Sequence, residues 1–279
     1  MSRRQQIEPR WQAQFAAAGA DVLLAFEPSP QLPGQWQELG KPNLIGRQRW
    51  RWQAEDGNTV YVKCYRRPAL REQLDRIWRQ GALHSRAWWE FSVARRLADA
   101  SIRAPRTVGC AEQMRGAWES ASVVLLESAG GDAFDRVWSA GCRSGAWFTR
   151  GPARIELTRA LARFIAAFHG TGFCHRDLYL CHVFVELDAA GGRPPQFSII
   201  DLARTHRPVW RRMRWLIKDL GQLDSSARQV GATRADRLRF LLAYMGLERG
   251  STRVRWYARR IVKRSDQTLA RDARKAAIA

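Results

Sequence analysis

Three histidines and one aspartate crowd between two apolar segments in the stretch 168–182, FHGTGFCHRDLYLCH. A carboxylate fixed in a turn beside imidazole and guanidinium groups can orient a hydroxyl and take its proton. Asp177 is the candidate for that work, with His175 and Arg176 supporting the turn and His182 contacting phosphate or the loop. The elements that must position them are legible on either side. Leu157, Leu161, Phe164, Ile165 and Phe168 recur at helical spacing, Gly170 and Gly172 break that helix, and Val183 to Leu187 suits a strand.

Helix, His-Arg-Asp turn, strand is the context a kinase catalytic loop requires. The longer segment HRDLYLCH resembles the loop of the lipopolysaccharide core kinases, in which an aromatic residue, an apolar residue and Cys-His follow the triplet; here these are Tyr179, Leu180, Cys181 and His182. The resemblance extends from about Gly40 to Gly246 and is strongest between His169 and Asp224. It implies a bilobal, protein-kinase-like α+β fold that phosphorylates heptose or Kdo sugars of the inner core, using ATP and Mg2+. The expected organisation is an N-terminal extension over 1–34, a small β-rich N-lobe over 35–129 and a larger, mainly helical C-lobe over 130–279.

Within the N-lobe, alternation over Arg47 to Gln53 and Thr59 to Tyr65 around the turn residues Glu55 to Asn58 predicts a hairpin. Val60, Val62 and Cys64 then face the core, which leaves Lys63 on the other face, toward a cleft. In a kinase-like fold such a Lys holds the ATP phosphates and a Glu on the next long helix holds the Lys, which points to Glu90 in SRAWWEFSVARRLADA. The phosphate-covering loop falls at Gly40 to Gly46, GKPNLIG, although Pro42 removes one N–H donor from such a cradle. Ser122 to Leu126 reads as a buried strand, and Glu127 to Ala129 as the hinge whose backbone would meet adenine.

Past the catalytic loop, Val183 to Leu187 and Phe197 to Ile200 flank AAGGRPP as a second hairpin that delivers Asp201 in IIDLAR. A carboxylate there suits magnesium, which demands hard oxygen ligands. Leu202-Ala203 replace the usual Phe-Gly after this Asp, and His182 stands where a metal-binding Asn is expected, a position at which imidazole is a poor magnesium ligand. Cys174, His175, Cys181 and His182 fit no common zinc spacing. The segment ARTHRPVWRRMRW then offers Arg204, Arg211, Arg212 and Arg214, with Trp210 and Trp215, to grip an anionic sugar, and Thr205 as a modifiable hydroxyl. Asp219 is a candidate brace behind the catalytic loop.

The 279 residues carry 47 Lys and Arg against 26 acids, a formal charge of +21, which calls for an anionic partner. The absence of a nucleic-acid motif weakens a nucleic-acid reading, and the resemblance implies the lipopolysaccharide core glycolipid as the anionic partner, with peripheral contact to an anionic membrane. Five scattered cysteines without a CxxC pair suggest a reducing cytoplasm, and no apolar run is long enough to span a bilayer. The last segment, Arg253 to Lys275, reads as a basic helix packed on the large lobe. Two rival readings stay open: a kinase of another small molecule or protein, and a non-catalytic nucleotide- or nucleic-acid-binding protein.

Overall fold

The computed structural model describes residues 2–17, 32, 34–40, 46–188, 191–248 and 250–277. The chain divides into two compact units, Met1–Ala129 with Asp201–Arg204, and Gly130–Ile200 with Thr205–Ala279. The α+β class expected from sequence is what these units show: the first is built on an antiparallel sheet and the second is mainly helical.

In the first unit the strands β1 (Ser2–Ile7), β2 (Gly34–Glu38), β3 (Arg47–Ala54), β4 (Thr59–Arg66), β5 (Thr107–Arg115) and β6 (Trp118–Glu127) form one sheet in the order β1-β5-β6-β4-β3-β2. The expected β3–β4 hairpin is present, with Trp52 opposite Val60 and Arg49 opposite Lys63. Period-two alternation sends Val60, Val62 and Cys64 into a core shared with Trp52, Val123 and Leu125. That core is closed by Trp11 and by Phe15 of helix α1 (Gln12–Ala17), and β1 pairs along β5. Residues 2–17, read from sequence as part of an extension, are thus integral to the sheet and its core. Two further helices follow β4, α2 (Leu70–Gln80) and α3 (Arg86–Asp99). Ser85 caps α3 by accepting from the Trp88 amide at 3.1 Å, and Phe91, Val93, Ala94 and Leu97 bury its apolar side.

The second unit contains β7 (Asp132–Ala133), α4 (Phe134–Ser144), α5 (Gly151–Gly170), β8 (Val183–Glu186), β9 (Gln196–Ile199), α6 (Arg212–Gln229), α7 (Arg234–Met245) and α8 (Thr252–Ala276). The expected second hairpin is β8–β9, with β7 on its other edge. Helix α5 buries Leu157, Leu161, Ile165 and Phe168, and Gly172, at φ +90°, turns the chain out of it in a conformation that L side chains rarely adopt. On α7, Leu241 is buried whereas Leu238 is partly exposed.

Helix α7 begins with a capping box at Thr233, reinforced by Arg154 of α5. The Asp236 carboxylate accepts from the Thr233 amide at 2.9 Å, its hydroxyl at 2.6 Å and Arg154 Nε at 3.1 Å. Burial alone would raise its pKa, but these donors outweigh burial and hold it down at about 2. A depressed carboxyl contributes stability that is present above the unfolded value of 3.8 and is lost as pH falls through about 2. Asp236→Asn is therefore expected to cost on the order of 2 kcal/mol at neutral pH and to flatten the acid limb of the stability curve between those two values, measured by urea denaturation across pH.

Candidate functional site

The sheet and α3 bring three sequence-predicted residues together in the first unit. Lys63, on the face of β4 opposite the core, places its ammonium 2.6 Å from Glu90 Oε1 and 2.9 Å from Asp201 Oδ1. Glu90 is fully buried in the second turn of α3, and Asp201 stands at φ +59° just beyond β9. Burial opposes the charge on Lys63, but Asp201 and Glu90 outweigh it and hold the ammonium well above its ordinary range. For Glu90, burial pushes the carboxyl up while Lys63 pulls it down. The ammonium is thus a fixed positive point shared by two carboxylates.

Two further residues belong to this cluster. Arg49 lies directly opposite Lys63 on β3, and its charge acts on Glu90; counting register back across the Glu55–Asn58 turn would have placed it. Tyr65, two residues after Lys63 on the same face, is buried and contacted by Arg47 and Arg86 at 5.7 Å each. Its phenol is pushed up by burial, with Glu90 and Asp201 adding to the shift.

Asp201 is anchored by what replaces Phe-Gly after it. Leu202 and Ala203 are buried in a short 3-10 turn, and the Ala203 carbonyl accepts from Gln80 Nε2 at 2.8 Å. A non-glycine residue at positive φ costs about 1–2 kcal/mol, so its presence at a candidate metal ligand marks a position held against its local preference. Of the expected phosphate-covering loop, residues 41–45, including Pro42, lie outside the described residues. Gly46, at φ +75°, is where a Cβ would lie 2.3 Å from the Arg66 carbonyl, so the backbone approach there requires glycine. At the hinge the Glu127 and Ser128 amides donate to the Arg106 and Thr59 carbonyls at 2.8 Å each. The Glu127 side chain accepts from Trp11 Nε1 at 3.2 Å, and Ala129 follows by position alone.

In the second unit the His175-Arg176-Asp177 loop is held from behind by a buried carboxylate. Asp219 of α6 accepts from the His175 amide at 2.6 Å and the Arg176 amide at 2.8 Å. Burial works against its charge, but His169, His175 and Lys218 outweigh it and keep the carboxyl below its ordinary range. His169 itself bonds Tyr244 at 2.9 Å, and Lys218 donates to the Arg176 carbonyl. These contacts hold Arg176 at φ +72°, with its guanidinium over Trp215. Through their amides His175 and Arg176 tie the loop to Asp219. His182 also holds the loop: its Nδ1 lies 2.7 Å from the Asp177 carbonyl and its ring stacks on His175 at 5.7 Å. The Tyr179 hydroxyl accepts from Arg271 of α8 at 3.0 Å, a tie that sequence gave no sign of. Asp177 is half-buried in this frame.

The basic segment divides in its duties. Arg211, at φ +55°, lies over Trp210 at 5.2 Å, and Arg214 over Trp215 at 5.8 Å, both Arg exposed. Arg212 donates to the His169 carbonyl at 2.5 Å, tying α6 to the end of α5. Arg204 is exposed in the first unit. Thr205 is fully buried, so its hydroxyl is not open to modification.

As to cofactors, Lys63 offers a cation for phosphate oxygens and Asp201 the hard oxygen that magnesium prefers, so the residues fit a magnesium nucleotide. His182 turns Nδ1 to backbone and adds no hard donor, which leaves Asp201 as the metal candidate.

The family model described as Lipopolysaccharide kinase (Kdo/WaaP) matches residues 36–244. Among curated proteins, the lipopolysaccharide core heptose(I) kinase WaaP of Pseudomonas aeruginosa is 29% identical over 204 residues, covering 72% of this chain and 74% of that protein. WaaP of Escherichia coli K12 is 26% identical over 196 residues, 68% and 72% of the two chains. A solved structure of WaaP in complex with acyl carrier protein superposes with TM-score 0.64 at 26% identity, covering 93% of this chain and 98% of that one.

Proposed function

This chain belongs to the Lipopolysaccharide kinase (Kdo/WaaP) family, and on that premise we propose that it transfers the γ-phosphoryl group of ATP to a heptose hydroxyl of the lipopolysaccharide inner core. The observation that carries the reading is the Lys63 ammonium fixed between Glu90 and Asp201. A non-catalytic nucleotide-binding protein has no use for an Asp177 loop braced through two amides to a buried Asp219.

When bound, magnesium ATP supplies the electrophilic phosphoryl group and a stabilised leaving group. Lys63 binds phosphate oxygen, and Glu90 keeps the ammonium in place. Asp201 would hold the metal. Asp177 orients the sugar hydroxyl and accepts its proton, while Asp219 and His182 fix the loop backbone on which Asp177 stands. Backbone at Glu127 to Ala129 would meet adenine, and the segment between Gly40 and Gly46 would cover the phosphates. Heptose is preferred to Kdo because both curated relatives are named heptose(I) kinases. Competition between dephosphorylated cores ending in heptose or in Kdo alone tests this: phosphate should appear by mass spectrometry on the heptose core, and transfer to Kdo alone would overturn the preference.

Arg204, Arg211 and Arg214 grip the anionic core, with Trp210 as a stacking face. Because Arg212 also ties α6 to α5, the clean variant is Arg211→Ala/Arg214→Ala. It should raise the apparent KM for the core glycolipid about tenfold while leaving that for ATP unchanged, an effect that high salt reproduces in the wild type. Equal weakening toward both substrates would remove the acceptor role.

Acyl carrier protein is proposed as a partner, since the solved relative is bound to one. A cavity of about 560 Å³ in the second unit, lined by Phe134, Leu161, Leu223, Leu241 and Ile261 and rimmed by Arg234 and Arg237, has the apolar lining that an acyl chain requires. Acylated carrier should co-elute with the protein on gel filtration and unacylated carrier should not; equal behaviour would exclude the cavity. No helix of the described residues is long and apolar enough to cross a membrane, and the proposed place of action is the cytoplasmic face of the inner membrane, reached peripherally.

A further inference from the structure

Helix α2 is folded inside out. Its inward face is polar: Gln73 and Arg76 are buried, and with Gln80 they recur at the three- and four-residue spacing of one helical side. Each is anchored, mostly on backbone carbonyls. Gln73 Nε2 donates to Glu119 O at 2.6 Å, and Arg76 donates to Gly81 O at 3.1 Å and His84 O at 2.6 Å. Gln80 donates to Ala203 O at 2.8 Å. The outward face is apolar. Leu70, Leu74 and Trp78, one turn apart along the helix, are 65%, 53% and 85% exposed, and Leu83 just beyond is 77% exposed.

An ordinary surface helix buries such a stripe against the core. Here the helix is docked by hydrogen bonds, so these three large side chains and Leu83 add little to folding and leave apolar surface in water. Arg67 and Arg71, both exposed, flank the N-terminal end of the stripe on a chain whose formal charge is +21. Leucines beside a tryptophan, rimmed by arginine, are the composition of a helix that lies in a lipid interface: Leu enters the acyl boundary, Trp sits at headgroup depth and Arg meets lipid phosphate. Scaled by their exposure, one tryptophan of roughly 250 Å² and three leucines of roughly 150 Å² each offer on the order of 500 Å², short of the ~800 Å² per partner typical of a stable protein interface, which disfavours a second copy of this chain.

We propose that the outward face of α2, Leu70, Leu74 and Trp78 with Leu83, Arg67 and Arg71, docks the protein on an anionic lipid surface. This deepens the reading of the chain as a glycolipid kinase, because it brings the protein to the surface in which such an acceptor is embedded. The docking itself is testable without any acceptor.

The experiment is sedimentation of the full chain with vesicles of phosphatidylglycerol and phosphatidylethanolamine, or of phosphatidylcholine alone, at low and high salt. The wild type should bind the anionic vesicles, and Leu74→Ser/Trp78→Ser should bind them at least ~10-fold less. Arg67→Glu/Arg71→Glu should also weaken binding and remove most of its salt sensitivity. Trp78→Phe should retain binding, and all variants should keep the wild-type melting temperature and the wild-type turnover on a water-soluble, deacylated core. Equal sedimentation of the wild type and the Ser variant would overturn the proposal, as would failure of the wild type to bind. A Ser variant whose only change is a smaller mass in light scattering would overturn it in favour of self-association. Loss of vesicle binding in the Ser variant of a protein that phosphorylates no core at all would uphold the docking face and sink the kinase reading instead.

Discussion

Asp177→Asn is expected to lower turnover by about 10²- to 10⁴-fold while leaving magnesium-ATP affinity within about twofold of the wild type. The substitution keeps shape and removes the charge that orients the attacking hydroxyl and accepts its proton. It also leaves the loop standing, because the backbone is fixed by groups other than the Asp177 carboxylate: Asp219 on the His175 and Arg176 amides, Lys218 on the Arg176 carbonyl and His182 on the Asp177 carbonyl. Calorimetry for nucleotide affinity and turnover on the same core acceptor read the two quantities separately. Full turnover in this variant would remove Asp177 from the catalytic role.

Lys63→Met is expected to abolish tight nucleotide binding, to cut turnover by at least about a hundredfold and to destabilise the protein by about 3–5 kcal/mol. The structural cost arises because Glu90 is fully buried and loses the cation that compensates it. Burial already pushes the Glu90 carboxyl up, and without Lys63 nothing opposes that shift except more distant charges such as Arg49. A carboxyl raised in the folded state contributes its stability below its unfolded pKa and loses it as pH rises, so the deficit of Lys63→Met should grow from acid toward neutral pH. Adding Glu90→Gln should restore most of the stability and none of the turnover. Recovery of both would mean that Lys63 serves only to neutralise Glu90.

Much of this site was legible in the sequence because its parts obey simple periods. The β3–β4 hairpin follows from alternation around a four-residue turn, and that alternation alone puts Lys63 opposite the core. The helical spacing around Glu90 and the apolar strand before Asp201 worked in the same way. What escaped was polar in pattern. The strand SRRQQI carries no alternation, since β1 is an edge strand whose partner β5 supplies the ladder rather than a buried face. Trp11 and Phe15 looked like part of an unreadable extension because their packing partner, Trp52, is far along the chain. Helix α2 would have misled a periodicity reading outright, because its apolar side is the exposed one. Arg212 shows a different limit: a run of arginines reads as one basic patch, and only the structure shows that this one ties two helices together.

The central claim is that Lys63, Asp201 and Asp177 make this chain a sugar phosphotransferase. Its most direct test is phosphorus NMR of a dephosphorylated core glycolipid incubated with the purified protein, ATP and magnesium. A new phosphomonoester on the core should appear in step with ADP, and Asp177→Asn should show neither. ADP without a core phosphomonoester, or an unchanged spectrum from active, folded wild-type protein, would contradict the account.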